Sequence, residues 1–316
     1  MYKGKKICVI VPALNEELLL PKTIAGIPEW VDKIIIIDDG STDNMPSFIN
    51  EIKLSDSRIQ SIDHESNKGL GQSLIDGYLA FRKTETDICV VMAGDNQMSP
   101  KDLPRLLDPI IAGEVDYVKG NRLLRDDVKG RMPLYRYIGN GVLTLLTKIA
   151  TGYWKLIDPQ CGYTAITKKA INIIPIETMI KGYGYNAHIL NMLNLSNFVV
   201  KDVEVEPVYG EEKSKIKLIS YIFNVSLLLL RLTLKRLINK YLIRDFHPLF
   251  LFYIFSLLQI FFISFPLLVR FIYIYSSTGF FPQTTLLLFY VSLSLGIFSG
   301  LIGMWLDMDE NKSLNK

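Results

Sequence analysis

Two stretches without a charged residue, Pro248 to Val269 and Phe271 to Leu306, limit what this chain of 316 residues can become. A helix needs roughly 20 apolar residues to cross a hydrocarbon layer of about 30 Å, and each stretch supplies them. Backbone polar groups in hydrocarbon are satisfied within a helix, so two membrane helices are expected over residues 247–306. Arg270 interrupts the two stretches, and its long stem lets the charge reach the distal interface. Ser276 to Thr285, within the second stretch and also uncharged, is expected to lie between the two helices.

The net charge of +3 hides an asymmetry. Lys213, Lys215, Lys217, Arg231, Lys235, Arg236, Lys240 and Arg244 fall just before the first apolar stretch. Beside a membrane span such a cluster suits anionic headgroups of the lipid bilayer better than nucleic acid. Ile219 to Tyr241 reads as an amphipathic helix with Leu230, Leu234, Leu237 and Tyr241 on one face, so 218–246 is expected to hold juxtamembrane interfacial helices. The positive-inside rule then places residues 1–217 and the tail 307–316 in the cytoplasm, in a multi-pass protein of the cell membrane. Gly296, Ser299, Gly300 and Gly303 permit close helix packing, within the chain or in a homo-oligomer. The cysteines, Cys8, Cys89 and Cys161, have neither disulfide nor zinc spacing, and the polar Met1 to Lys6 is no signal peptide.

Residues 1–217 read as one soluble domain. Ile7 to Val11, Ile34 to Ile37 and Ile88 to Met92 are continuous apolar runs, and Val115 to Val118 is a fourth run broken only by Asp116, a pattern that suggests strands buried on both faces. Val199 to Val208 reads as a late strand. Helical segments are expected near Glu16 to Ile27, Asp43 to Leu54, Gly71 to Arg82, Lys101 to Ile111 and Tyr135 to Ala150. The alternation predicts an α/β domain with a mostly parallel, Rossmann-like sheet. Ligands bind such sheets beyond the carboxyl ends of the strands, where the polar and glycine-bearing motifs fall.

Asp38-Asp39-Gly40-Ser41-Thr42-Asp43 follows the second strand. It can be a turn and helix cap, or its paired acids can accept hydrogen bonds from a nucleobase or ribose. Pro12-Ala13-Leu14-Asn15-Glu16-Glu17 has the same placement after the first. Asp95-Asn96-Gln97 follows the third run as either an Asx turn or a pair of oxygen ligands for Mg²⁺ or Mn²⁺. His188 reads as packing, and His64 and His247 have no evident partner.

Together these loops, with Asn67-Lys68-Gly69-Leu70-Gly71, Gly94-Asp95-Asn96-Gln97 and Gly120-Asn121-Arg122, resemble the family-2 glycosyltransferases of the GT-A fold over about residues 5–217. Within that family the chain resembles the polyprenyl-phosphate glycosyltransferases of the dolichyl-phosphate mannose synthase type. The resemblance implies that Pro12, Leu14, Asn15, Glu16, Asp38, Asp39, Gly69 and Gly94 hold the nucleotide of a nucleotide-sugar donor. It places the Asp-x-Asp-x-Gln metal element on Ala93, Asp95 and Gln97, so the first aspartate is missing. The family's arginines for the transferred phosphate region fall on Arg122 and Arg136. Its late basic element falls on Tyr209 to Lys215, where Ser214 and Lys215 match and Lys213 stands near the replaced arginine. Asp158, in Asp158-Pro159-Gln160-Cys161-Gly162-Tyr163, falls in the acceptor-side loop.

The implied acceptor is a polyprenyl phosphate, such as dolichyl or undecaprenyl phosphate. A phosphate monoester has a second pKa of about 6 and needs no general base, only cations to hold it. Direct displacement would invert the sugar. The Gln-x-x-Arg-Trp element of processive relatives is absent, which favours a single transfer. The alternatives are another lipid or glycan acceptor, and a non-catalytic nucleotide-binding membrane protein.

Overall fold

The computed structural model of the chain describes residues 1–123, 134–182, 184–206 and 218–316, with side chains undescribed over 134–140 and 218–223. The described residues divide into two units, Met1–Leu232 with Ser313–Lys316, and Thr233–Lys312.

The first unit is built on seven strands: β1 (Ile7–Ala13), β2 (Lys33–Asp38), β3 (Ile59–Asp63), β4 (Ile88–Val91), β5 (Tyr117–Asn121), β6 (Thr164–Thr167) and β7 (Val200–Glu204). Their order is β3-β2-β1-β4-β6-β5-β7. β6 runs antiparallel to β4 and β5, and the other described pairings are parallel. The register sets Cys8 against Lys33 and Cys89, and carries Ala13 to Asp38. β1, β2 and β4 therefore deliver their following loops to one end of the sheet.

Continuous apolar runs mean two buried faces here. Ile7, Val9 and Val11 share one core with Leu20 of α1 (Leu20–Gly26), Met45 and Ile49 of α2 (Met45–Ser55), and Leu106 and Leu107 of α4 (Leu103–Ile111). Cys8 and Ile10 share the opposite core with Leu74, Tyr78 and Phe81 of α3 (Leu70–Arg82), and with α6 (Lys168–Ile173) and α7 (Tyr185–Leu195). Burial of each such side chain is worth about 1.5–3 kcal/mol before the entropy of ordering is subtracted.

The first helix starts at Leu20, later than Glu16; the residues before it form a turn in which the Leu19 and Leu20 amides donate to the Glu16 carbonyl. β3 and β6 are additions to the sequence reading. β3, Ile-Gln-Ser-Ile-Asp, is an edge strand whose mixed polarity hides it among loops. β6 is only four residues long. The late strand ends at Glu204, and residues from 207 to 217 lie outside the described part. α5 (Leu134–Thr151) and the first part of α8 (Leu218–Ile238) meet through Ala150, Val225, Leu229 and Leu232. The final residues of the chain also belong to this unit: Leu314 joins the core, and the Lys316 amide donates to the Val200 carbonyl.

The second unit holds the end of α8, a wide-turned segment Asn239–Arg244, and two long apolar helices, Pro248–Thr278 and Gln283–Glu310 (α11). Their mean hydropathies of 2.2 and 2.0 make both long and apolar enough to cross a membrane. The first is α9 (Pro248–Leu257), a wide turn Leu258–Ser264, and α10 (Phe265–Thr278). Pro266 has no N–H to continue an ordinary ladder, which fits the change of winding just before it. Gly279, at φ 66°, ends α10, and the reversal follows.

On α11, Ser292, Gly296, Ser299, Gly303 and Asp307 form the buried stripe. A Cβ on Gly296 would stand 2.8 Å from Ile260, and one on Gly300 2.9 Å from the Ser256 hydroxyl. The small residues are thus used within the hairpin. Arg236 and Lys240, grouped by sequence with cations for lipid headgroups, are instead buried: Arg236 pairs with Asp307, and Lys240 Nζ donates to Asn311 Oδ1 at 2.9 Å. His247 caps α9 by accepting the Leu249 amide.

Candidate active site

The carboxyl ends of β1, β2 and β4 border a cavity of about 450 Å³. Pro12, Ala13, Leu14 and Glu16 line it from the loop after β1, Asp39 from that after β2, and Ala93, Gly94 and Asp95 from that after β4. Asn67, Gly69, Leu70 and Ser73 close one side, with Gly182 and Tyr185 on another. A larger groove, about 810 Å³, lies at the amino ends of the same strands beside Lys6, Lys33 and Thr86. Ligand sites in such sheets lie at the carboxyl ends, so the smaller cavity is the candidate.

The first two loops are fastened to each other. The Asn15 amide donates to Ser41 Oγ (2.9 Å), and Asn15 Oδ1 accepts from the Thr42 amide (2.8 Å). The Glu17 amide donates to Asp43 Oδ2, and Glu17 Oε2 accepts from the Asn44 amide, both at 3.0 Å. Asp38 is buried and turns the chain by accepting from the Ser41 amide at 2.9 Å. Asn15 and Asp38 therefore shape the loops, while Asp39 borders the cavity. Asp39 is itself held by the Lys68 and Gly69 amides, each 2.9 Å away. Gly69 (φ 90°) and Gly71 leave no room for a side chain: a Cβ on Gly71 would fall 2.2 Å from the Ile180 carbonyl oxygen. Gly94 makes a similar approach to Ala13.

Asp95 Oδ1 accepts from the Gln97 amide at 3.1 Å across Asn96, whose φ of 56° tightens the turn. This is the Asx turn the sequence allowed, and Asp95 also borders the cavity. Gln97 is not among the lining residues. Among the described residues no group of three or more His, Cys, Asp or Glu could enclose a metal. Of the pair Asp95 and Gln97, only Asp95 borders the cavity, and its carboxylate is a hard oxygen donor. That fits a hard ion such as Mg²⁺ or Mn²⁺ that keeps waters and completes its shell with substrate phosphate.

Arg122 and Asp158 are brought together, and neither is among the residues that line this cavity. Arg122 Nε donates to Asp158 Oδ2 at 2.8 Å, and Nη2 to Oδ1 at 3.3 Å. Burial pushes the Asp158 carboxyl up, but the Arg122 hydrogen bonds and charge outweigh it and hold it below the ordinary carboxylate range. Asp158 Oδ1 also accepts from the Gln160 amide, and Gly162 of the same loop packs on the Tyr185 hydroxyl that borders the cavity. The side chain of Arg136, and all of Lys213 and Lys215, lie outside the described residues.

Behind this loop sits a lysine that sequence reasoning passed over. Lys119, on β5, is fully buried, and its Nζ donates to the Cys161 carbonyl and to Asn186 Oδ1. Burial pulls its pKa down to about 8. Nearby, burial lifts Asp202 to about 6; its Oδ2 accepts from Asn121 and the Ile157 amide, while Oδ1 has no partner. A lysine directly after Tyr117-Val118, still within the strand, was the available signal. His188 is packing, accepting the Ile180 amide through Nδ1. His64 does have partners, the carboxylates of Asp39 and Asp76.

The model of glycosyl transferase family 2 matches residues 8–173. The chain belongs to that family. A UDP-N-acetylglucosamine–dolichyl-phosphate N-acetylglucosaminyltransferase of Methanococcus voltae is 29% identical over 220 residues, covering 66% of this chain and 87% of the relative. An undecaprenyl-phosphate mannosyltransferase of Micrococcus luteus is 28% identical, covering 57% and 74%. Among solved structures, glucosyl-3-phosphoglycerate synthase of Mycobacterium tuberculosis, crystallised with Mn²⁺ and UDP-glucose, superposes with a TM-score of 0.53 at 23% identity, over 74% of this chain and 80% of that one. This last likeness bears on fold alone, and it is the expected GT-A architecture.

Proposed function

We propose that this family-2 glycosyltransferase moves a single sugar from a nucleotide-sugar donor to a polyprenyl phosphate at the cytosolic face of a membrane. The observation that carries the reading is the convergence of Asp39, Gly69, Glu16 and Asp95 on one cavity at the carboxyl ends of the sheet, in a chain that also holds two membrane-length apolar helices. The names of the archaeal and bacterial relatives support a lipid-phosphate acceptor.

In this reading Pro12, Leu14, Glu16 and Asp39 receive the nucleotide, and the Gly69 and Gly94 backbones let it approach closely. Asp95 and Gln97 would hold Mg²⁺ or Mn²⁺, which supplies charge neutralisation of the leaving diphosphate. Arg122, aimed by Asp158, offers a two-pronged donor to the acceptor phosphate. Arg136, Lys213 and Lys215 are assigned to the same task from the family resemblance. The acceptor phosphate is already ionised, so no residue need take its proton. Attack opposite the leaving diphosphate inverts the anomeric centre.

The test is transfer of radiolabelled sugar from UDP- and GDP-linked donors into native lipid extract by the membrane-bound chain. Mild-acid-labile lipid product is expected. Label that reaches only protein or glycan would overturn the acceptor assignment, and an α-linked product from an α-linked donor would overturn inversion.

A further inference from the structure

His64 follows β3, and its side chain is 3% exposed. Nδ1 lies 2.8 Å from Asp39 Oδ1, and Nε2 lies 3.0 Å from Asp76 Oδ2. Asp76, on α3, also accepts from Gln72 Nε2 at 3.0 Å. Asp39 in turn holds the Lys68 and Gly69 amides. One imidazole thus ties together the ends of β2 and β3, the second turn of α3 and the loop that closes the cavity. The loop is held tightly on its other side as well. Gly40 has a φ of 78°, and a Cβ there would fall 2.6 Å from the Ser66 carbonyl carbon.

A buried carboxylate needs donors on both oxygens, and two carboxylates facing each other repel unless a donor stands between them. Each ring nitrogen of His64 lies at hydrogen-bond distance from one of the two carboxylates. An Asn or Gln side chain could donate only from its one nitrogen, because its second polar atom is an acceptor. Asp39 and Gly69 border the cavity, whereas His64 and Asp76 do not. Two residues outside the cavity thus hold two that line it.

We propose that His64, anchored by Asp76, is a positioning residue for the nucleotide: it orients the Asp39 carboxylate and, through it, the Lys68–Gly69 backbone. The assignment rests on the reading of this cavity as the donor site. It separates nucleotide binding from the Asp95 side of the cavity, where the diphosphate is held.

The experiment measures dissociation constants on the full chain in detergent micelles with Mn²⁺. The probes are whichever of UDP and GDP the wild type binds, and inorganic diphosphate as the control. His64→Ala is expected to weaken the nucleotide about tenfold or more. Diphosphate should stay within about twofold, and donor KM should rise while kcat stays within about threefold. Asp76→Asn, which removes only the outer anchor's charge, should move the same quantities in the same direction by about threefold. Nucleotide affinity unchanged in both variants overturns the proposal, as does an equal loss of nucleotide and diphosphate. If His64→Ala fails to fold, Asp76→Asn decides by the same two readings. A wild-type chain that binds neither UDP nor GDP sinks the donor-site reading itself, and this assignment with it.

Discussion

Asp158 reaches Arg122 with both carboxylate oxygens, 2.8 Å to Nε and 3.3 Å to Nη2, and only the arginine side of the pair is open to solvent. The buried partner sets the direction of the exposed one. Lysine carries the same charge but cannot meet two oxygens in one plane. Arg122→Lys should therefore lower kcat/KM for the lipid phosphate roughly tenfold, with donor affinity unchanged. Steady-state transfer with varied acceptor, beside a nucleotide-binding isotherm, checks both halves.

Asp95 is the one carboxylate that the loop after β4 offers to the cavity. Asp95→Ala should cut kcat on the order of 100-fold, and a chelator should abolish transfer until Mn²⁺ or Mg²⁺ is restored. Ala93 borders the same cavity and contributes no oxygen ligand through its side chain. Ala93→Asp should supply a second carboxylate and tighten Mn²⁺ binding about tenfold. Manganese titration followed by electron paramagnetic resonance reads this directly; unchanged affinity would mean the ion is held elsewhere.

Asp202 binds its proton more tightly folded than unfolded, at about 6 against 3.8. Its contribution to stability is therefore complete below about pH 4 and is lost as pH rises through about 6. Lys119 has the opposite shift, about 8 against 10.5. Its contribution is present above pH 10.5 and lost as pH falls through about 8. Asp202→Asn should remove a decline on the order of 1–2 kcal/mol between about pH 4 and 6. Melting temperatures of wild type and variant across that window, in one detergent, give the comparison.

Arg236 and Asp307 are both fully buried and joined by two contacts, 2.7 and 2.8 Å. Tyr241 and Asn311 also donate to the carboxylate. Arg236→Met should cost about 3–5 kcal/mol, because it strands a buried charge. Arg236→Met with Asp307→Leu should recover a large part of that loss, since neither ion then has to be desolvated. Thermal unfolding in detergent ranks the three proteins.

Much of this chain could be read along its length. Runs such as Ile34 to Ile37 can only be strands sheathed on both faces, and Pro248 to Val269 can only be covered by lipid or protein. Asp39, Gly69 and Asp95 stand out as acids and a glycine in loops at strand ends, and all three border the cavity. Where roles diverged from that reading, the cause was partnership across the fold. Asn15 and Asp38 fasten loops, and Arg236 and Lys240 leave the surface, each because of a residue distant in sequence.

Local chemistry by itself thus determined strand, helix and apolar span, since periodicity and hydrophobicity act between near neighbours. Only tertiary structure decided which polar groups line the cavity and which face one another. A carboxylate's role depends on the donors within about 3 Å of it, and these come from other elements. Asp39 meets His64 and Gly69, Asp158 meets Arg122, and Asp307 meets Arg236, pairings that no spacing rule contains.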